Sequence, residues 1–150
     1  QIRATIRQRG ADVGFEFNAD GRGRIYNTFD AHRLLHWAGE ESLDQQRALK
    51  KALLVACHRD RQAMDQTDVL LAAVAQAQLN VERAAEILAS DAFAEDVRKQ
   101  DAFYQSAGIR SVPAVIIQGR HLISGGQPAD VFEQALRELA DQYQGLSDAQ

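Results

Sequence analysis

The chain has 150 residues, 45% of them hydrophobic and 25% charged, and a formal net charge of −4 at pH 7. That length and balance predict one soluble globular unit with a sizeable core. The acidic charge, with only the small Arg3, Arg7, Arg9 and Arg22, Arg24 groups against it, leaves no concentrated basic face for nucleic acid. No run approaches the roughly 18 apolar residues of a membrane-spanning helix, and Gln1-Ile2-Arg3-Ala4-Thr5 has neither the apolar core nor the cleavage site of a signal peptide. A single cysteine, Cys57, excludes an internal disulfide framework and fits a reducing, cytoplasmic location. The sequence starts on a helix-like segment without Met and is expected to be part of a longer chain.

Ile2 and Ile6 lie one helical turn apart in a segment that Gly10 is expected to stop. Val13, Phe15 and Phe17 then alternate with Gly14, Glu16 and Asn18, which predicts a short extended segment closed by the loop 18–23. From Asn27 to Ala107 the chain has no proline and its apolar residues follow a helical period, so a cluster of short helices is expected. Asn27 or Thr28 caps the first, with Phe29, Ala31, Leu34, Leu35 and Ala38 inside and Gly39 at its end. Leu43, Leu49, Leu53, Ala56 and Cys57 mark the core side of the second. Thr67 and Asp68 offer a cap to a third, which carries Val69, Leu70, Ala73, Val74 and Ala77. Asn80 begins a fourth with Ala84, Ile87 and Leu88. Ser90 opens a fifth, with Phe93, Val97, Ala102 and Phe103, that lasts until Gly108.

The remaining part changes character, and both prolines lie in it. Ala114 to Ile117 and His121 to Ser124, joined across Gln118-Gly119-Arg120, read as a β-hairpin. Pro128 suits the first turn of a last helix, with Asp130 near its positive end and Val131, Phe132, Ala135, Leu136, Leu139 and Tyr143 toward the core. An isolated hairpin is marginal in water, so further strands of its sheet are expected upstream of Gln1. Val112-Pro113 stands at the mouth of the β-branched run. Proline cannot donate to a strand ladder, so its placement there calls for a special reason: a trans proline that starts an edge strand, or a cis peptide.

Asn27 to Ala38, the Ser90-Asp91 helix, Gly108 to Val115 and Ser124-Gly125-Gly126-Gln127-Pro128 together resemble the FrnE-type branch of the DsbA family, in the thioredoxin superfamily. The resemblance implies an α/β, thioredoxin-like fold, of which this chain holds the C-terminal β-β-α part and an inserted all-helical domain, so that most of it is helical. Residues 1–26 would be a helix end and connecting segment, 27–107 the inserted domain, 108–144 the β-β-α part and 145–150 a tail. The implied activity is thiol:disulfide oxidoreduction on protein or peptide thiols and disulfides, with no organic cofactor and no metal. It depends on a Cys-Pro-Trp-Cys type motif that normally precedes the residue matching Gln1, so this chain alone is expected to be inactive. By the same resemblance Val112 and Pro113 form the cis-proline loop, whose backbone at Val112 pairs with an extended substrate, and Asn27, Thr28 and His32 line the groove beside it.

Rival readings are a glutathione-dependent kappa-class transferase or 2-hydroxychromene-2-carboxylate isomerase, and a non-catalytic thioredoxin-like binding module that forms homo-oligomers through an open sheet edge. Glutathione is therefore a further candidate partner. His32 and His36 share a helical face, but no further Cys, Glu or His at suitable spacing completes a metal site. Gly125 and Gly126 lack the spacing of a phosphate-binding loop and read as a turn. Cys57 continues the Leu49, Leu53 stripe and is expected to be a buried core residue rather than a nucleophile.

Overall fold

The computed structural model describes residues 2–21 and 23–147, the side chains of 142–147 excepted. Seven helices and one hairpin follow in the order α1 (Ile2–Asp12), α2 (Phe29–Glu41), α3 (Leu43–His58), α4 (Thr67–Gln76), α5 (Val81–Leu88), α6 (Ala94–Ser106), β1 (Ala114–Ile117), β2 (His121–Ser124) and α7 (Ala129–Ser147) among the described residues. The chain divides into two compact units, Gln1–Asp101 and Ala102–Gln150. The segment before α2 thus belongs to the helical unit.

In the first unit α2 packs on α3, α3 on α4, α4 on α5, and α5 back on α2. Apolar residues at helical spacing meet inside this ring, where Leu34, Leu49, Leu70, Val74 and Ile87 are fully buried. Polar caps set its corners. Ser42 ends α2 and starts α3: its N–H donates to the Ala38 carbonyl, and its side chain accepts from the Gln45 N–H at 3.1 Å. Asn80 caps α5 by accepting from the Arg83 N–H at 2.9 Å. At α4 the cap falls on Gln66, with Thr67 and Asp68 inside the first turn rather than before it.

Arg33 is a buried charge in this apolar ring, only 4% exposed. Its Nε donates to the Ala92 carbonyl at 2.8 Å and its Nη1 to Asp30 Oδ1 at 2.9 Å, while Nη2 donates to the carbonyls of Ile87 and Ser90. The guanidinium therefore ties the first turns of α2 to the end of α5, where backbone carbonyls run out of helical partners.

Several expectations are corrected by packing. α1 passes through Gly10 to Asp12 and turns at Gly14, whose φ is +78°. Gly10 is required for contact instead: a Cβ there would lie 2.6 Å from the Phe17 ring and 2.7 Å from the Phe15 carbonyl oxygen. Glycine to alanine inside a helix ordinarily stabilises by about 0.5–1 kcal/mol. Gly10→Ala is expected to reverse that sign and destabilise by about 1–3 kcal/mol, the cost of overpacking, as read by urea denaturation.

Likewise α2 continues past Gly39 to Glu41, and Gly39 leaves room for the Gln46 side chain, which donates to the Leu35 carbonyl at 3.0 Å. Leu43 is 73% exposed because it opens α3 ahead of the core stripe. The fifth predicted helix starts at Ala94, after Phe93 adopts φ +61°, and Ala102 and Phe103 face solvent. Cys57 is half-buried, packed against the core without entering it. Cys57→Ser is expected to cost no more than about 1 kcal/mol, and a thiol reagent should label Cys57 in the folded protein, more slowly than a free thiol.

In the second unit β1 and β2 pair antiparallel with Ala114 opposite Ser124 and Ile117 opposite His121. Gln118 and Gly119 both take positive φ in the connecting turn, the conformation that suits a tight hairpin. No described residue of this unit is fully buried. The strand after Pro113 is therefore not a buried one, Val115 and Ile116 being 39% and 42% exposed. On α7, Phe132, Ala135 and Leu139 form a half-buried stripe, whereas Val131 and Leu136 flank it and are exposed. The Tyr143 side chain and Arg22 lie outside the described residues. α7 itself runs to Ser147, into the stretch read from sequence as a tail.

Candidate functional site

Two groups of expected site residues are built locally, one in each unit. In the second unit, Gly108 at φ +84° turns the chain out of α6, and the Ile109 N–H closes that turn on the Tyr104 carbonyl at 3.1 Å. The chain then reaches Val112-Pro113, whose peptide bond is cis. The Pro113 carbonyl accepts from the Gly125 N–H at 2.8 Å, so pairing across the hairpin continues one residue beyond the regular strands. Ser111 Oγ lies 3.4 Å from Ser124 Oγ. Gly125 takes φ +80°, and Gln127 Nε2 donates back to the Ser124 carbonyl at 3.0 Å. The Ser124–Pro128 turn thus braces the loop from the other strand.

Val112 is left presented. It is 88% exposed, and neither its N–H nor its carbonyl enters a backbone hydrogen bond among the described residues. Backbone groups left unpaired next to a paired strand can accept another strand edge to edge.

In the first unit, Asn27, Thr28 and His32 come together in the entry turn of α2. Asn27 Oδ1 accepts from the Phe29 N–H at 3.0 Å, while Thr28 is the N-cap residue without a side-chain cap bond. The Thr28 carbonyl takes the His32 N–H at 3.1 Å and lies 2.7 Å from His32 Nδ1. That contact makes Nδ1 the donor and leaves Nε2 of the exposed ring as the acceptor in the neutral form. His36, one turn on, is engaged elsewhere: its ring packs on Phe93 with centroids 5.5 Å apart, and its Nε2 is 3.6 Å from Glu40. Among the described residues no group of three or more His, Cys, Asp or Glu side chains is placed to hold a metal, and no helix is long and apolar enough to cross a membrane.

Away from these residues, the Arg59 guanidinium donates to Asp60 at 2.8 and 3.2 Å. This hydrogen bond holds the Asp60 carboxyl below its ordinary range and raises Arg59. The lowered carboxyl favours the folded state at neutral pH, and that contribution fades as acid titrates Asp60. Exposure of both side chains to solvent keeps it small.

The DSBA-like thioredoxin domain family matches residues 1–137, which takes in both units, the α2 entry turn and the proline loop. The chain belongs to the DSBA-like thioredoxin domain family. Its fold is the thioredoxin-like one of that family, with a small two-stranded sheet and a helical insertion. The crystal structure of a probable DsbA oxidoreductase from Streptomyces coelicolor is similar at a TM-score of 0.83 and 29% sequence identity, over 91% of this chain. The DsbA-like chain spans 58% of the length of that protein. No curated protein matches it.

Sequence reasoning missed two features of the helical unit. Arg33 sits among apolar neighbours with nothing in its spacing to announce a buried partner set. Arg3 and Arg7, read as small solvated groups, line a cavity with Phe17 and His58.

Proposed function

We propose that this chain supplies the substrate-pairing loop and the helical insertion of a thiol:disulfide oxidoreductase of the FrnE-like branch, which acts on protein or peptide thiols and disulfides. Membership of the DsbA-like family supports the reaction class, and the Ser124–Pro128 turn supports the branch. The observation that carries the reading is the open backbone of Val112 beside β1. An extended peptide can pair there as an added strand, which holds its disulfide still for attack.

The chemistry needs two thiols in sequence. One thiolate attacks a substrate disulfide, forming a mixed disulfide and releasing a substrate thiolate; a second thiol then displaces the substrate and closes the enzyme's own disulfide. Cys57 is the sole cysteine of this chain, so the proposal assigns the dithiol to a segment outside Gln1–Gln150. The part of the Streptomyces coelicolor protein that this chain does not span supports that assignment.

Amide hydrogen exchange on the protein that includes the dithiol tests this reading. A bound, non-reducible cysteine-to-serine peptide is expected to slow exchange at Val112 by about tenfold or more, the protection given by a new backbone hydrogen bond. Unchanged exchange at Val112 with the peptide bound elsewhere would overturn it. Tighter binding of glutathione than of the peptide would favour the transferase reading instead.

A further inference from the structure

The first unit holds a cavity of about 410 Å³ between α1 and the Phe17–Gly21 segment, within the range of small-molecule pockets. Its floor is held by Asn18. The Asn18 N–H donates to the His58 carbonyl at 3.0 Å and its Nδ2 to the Arg59 carbonyl at 2.8 Å, while its Oδ1 accepts from the Asp20 N–H at 3.0 Å. The wall is fixed by the close approach of Gly10 to Phe17 and by Arg7 Nη1, which donates to the Ala19 carbonyl at 2.6 Å.

The lining is chemically divided. Ile6 and the Phe17 ring supply an apolar surface, and Phe17 meets the His58 ring edge-on with centroids 5.8 Å apart. Arg3 and Arg7, one helical turn apart on α1, supply two cations. The one acid in the lining, Asp20, is offset by Arg61 at 3.2 Å, which leaves the arginines as surplus positive charge. Arg7 uses one nitrogen on Ala19, and no hydrogen bond or ion pair engages Arg3 among the described residues. The loop offers no cradle of free amides for a phosphate, because the Asp20 N–H and the Gly21 N–H are both taken by Asn18. A guanidinium fork matches a carboxylate, and the apolar wall of Ile6 and Phe17 beside it matches an organic body, which inorganic phosphate lacks.

We propose that this cavity binds a small amphipathic carboxylate, its anion on Arg3 and Arg7 and its apolar body against Ile6 and Phe17. The site belongs to the helical unit and does not rest on the redox reading.

Titration of the 150-residue protein with phenylacetate, followed by NMR, tests it. Saturable shifts at millimolar ligand are expected at Arg7, Phe17 and His58. Neutral 2-phenylethanol and inorganic phosphate, each lacking one half of the recognition, are expected to bind at least about tenfold more weakly, a difference of about 1.4 kcal/mol. Arg3→Gln, at an exposed residue, is expected to weaken phenylacetate about threefold or more with an unchanged circular dichroism spectrum. Arg3→Gln with Arg7→Gln is expected to abolish binding. Absent or non-saturating shifts at these residues would overturn the proposal, as would equal binding of 2-phenylethanol or phosphate, or unweakened binding by Arg3→Gln.

Discussion

Arg33→Met is expected to destabilise the helical unit by about 3 kcal/mol and to lower its melting temperature by roughly 10–20 °C. Methionine keeps most of the volume and removes the donors. The carbonyl of Ala92 then loses its guanidinium partner, Ser90 loses a second, and Asp30 loses its ion pair. A buried acceptor left without a donor costs about 1–3 kcal/mol. The total stays at the lower end because the Ile87 carbonyl keeps the Ser90 N–H at 3.3 Å and the Ser90 hydroxyl at 3.2 Å, and because water reaches exposed Ser90. Arg33→Lys should recover only part of the loss, since one ammonium cannot reproduce a planar fork directed at carbonyls of different residues. Urea or thermal unfolding checks both variants. A loss below about 1 kcal/mol for Arg33→Met would mean that solvent or neighbouring amides replace the guanidinium.

Val112→Pro, made in the protein that carries the dithiol, is expected to lower kcat/KM for a peptide disulfide by at least about tenfold, or 1.4 kcal/mol of transition-state binding. The substitution deletes the N–H of residue 112, one of the two backbone groups left open beside β1. Val112→Ala keeps that N–H and should stay within about threefold, because the Val112 side chain is exposed and the proposed recognition is through the backbone. Equal losses in the two variants would place recognition in the side chain, and no loss in either would remove Val112 from the site. Circular dichroism and a small disulfide substrate that cannot pair as a strand separate a binding defect from a folding one.

Features with a local cause were legible in the sequence. Helical periodicity located the apolar ring of α2 to α5, Asn80 announced its own cap, and the β-branched runs around Gln118-Gly119-Arg120 located the hairpin strands. Features with a tertiary cause were not. Gly10 and Gly39 look like helix stops to any reading of propensity, yet both sit inside helices, where Phe17 and Gln46 fold back against them from the segment that follows each helix. Arg33 shows the same limit: a cation inside an apolar stripe reads as an interruption until the end of α5 is folded against it. Of the expected site residues, Val112-Pro113 stood out through proline chemistry, and the grouping of Asn27, Thr28 and His32 followed from their nearness in the chain. The activity attached to them came only from family resemblance, since neither periodicity nor spacing encodes a redox reaction.

The most direct measurement is insulin-disulfide reduction by two purified proteins, the 150-residue chain and a longer one that restores the dithiol, each with and without Cys57→Ser. The proposed division of labour predicts no catalytic turnover by the 150-residue chain, turnover by the longer protein, and no effect of Cys57→Ser on that turnover. Repeated turnover by the 150-residue chain free of contaminating oxidoreductases, or loss of the longer protein's activity in Cys57→Ser, would contradict it.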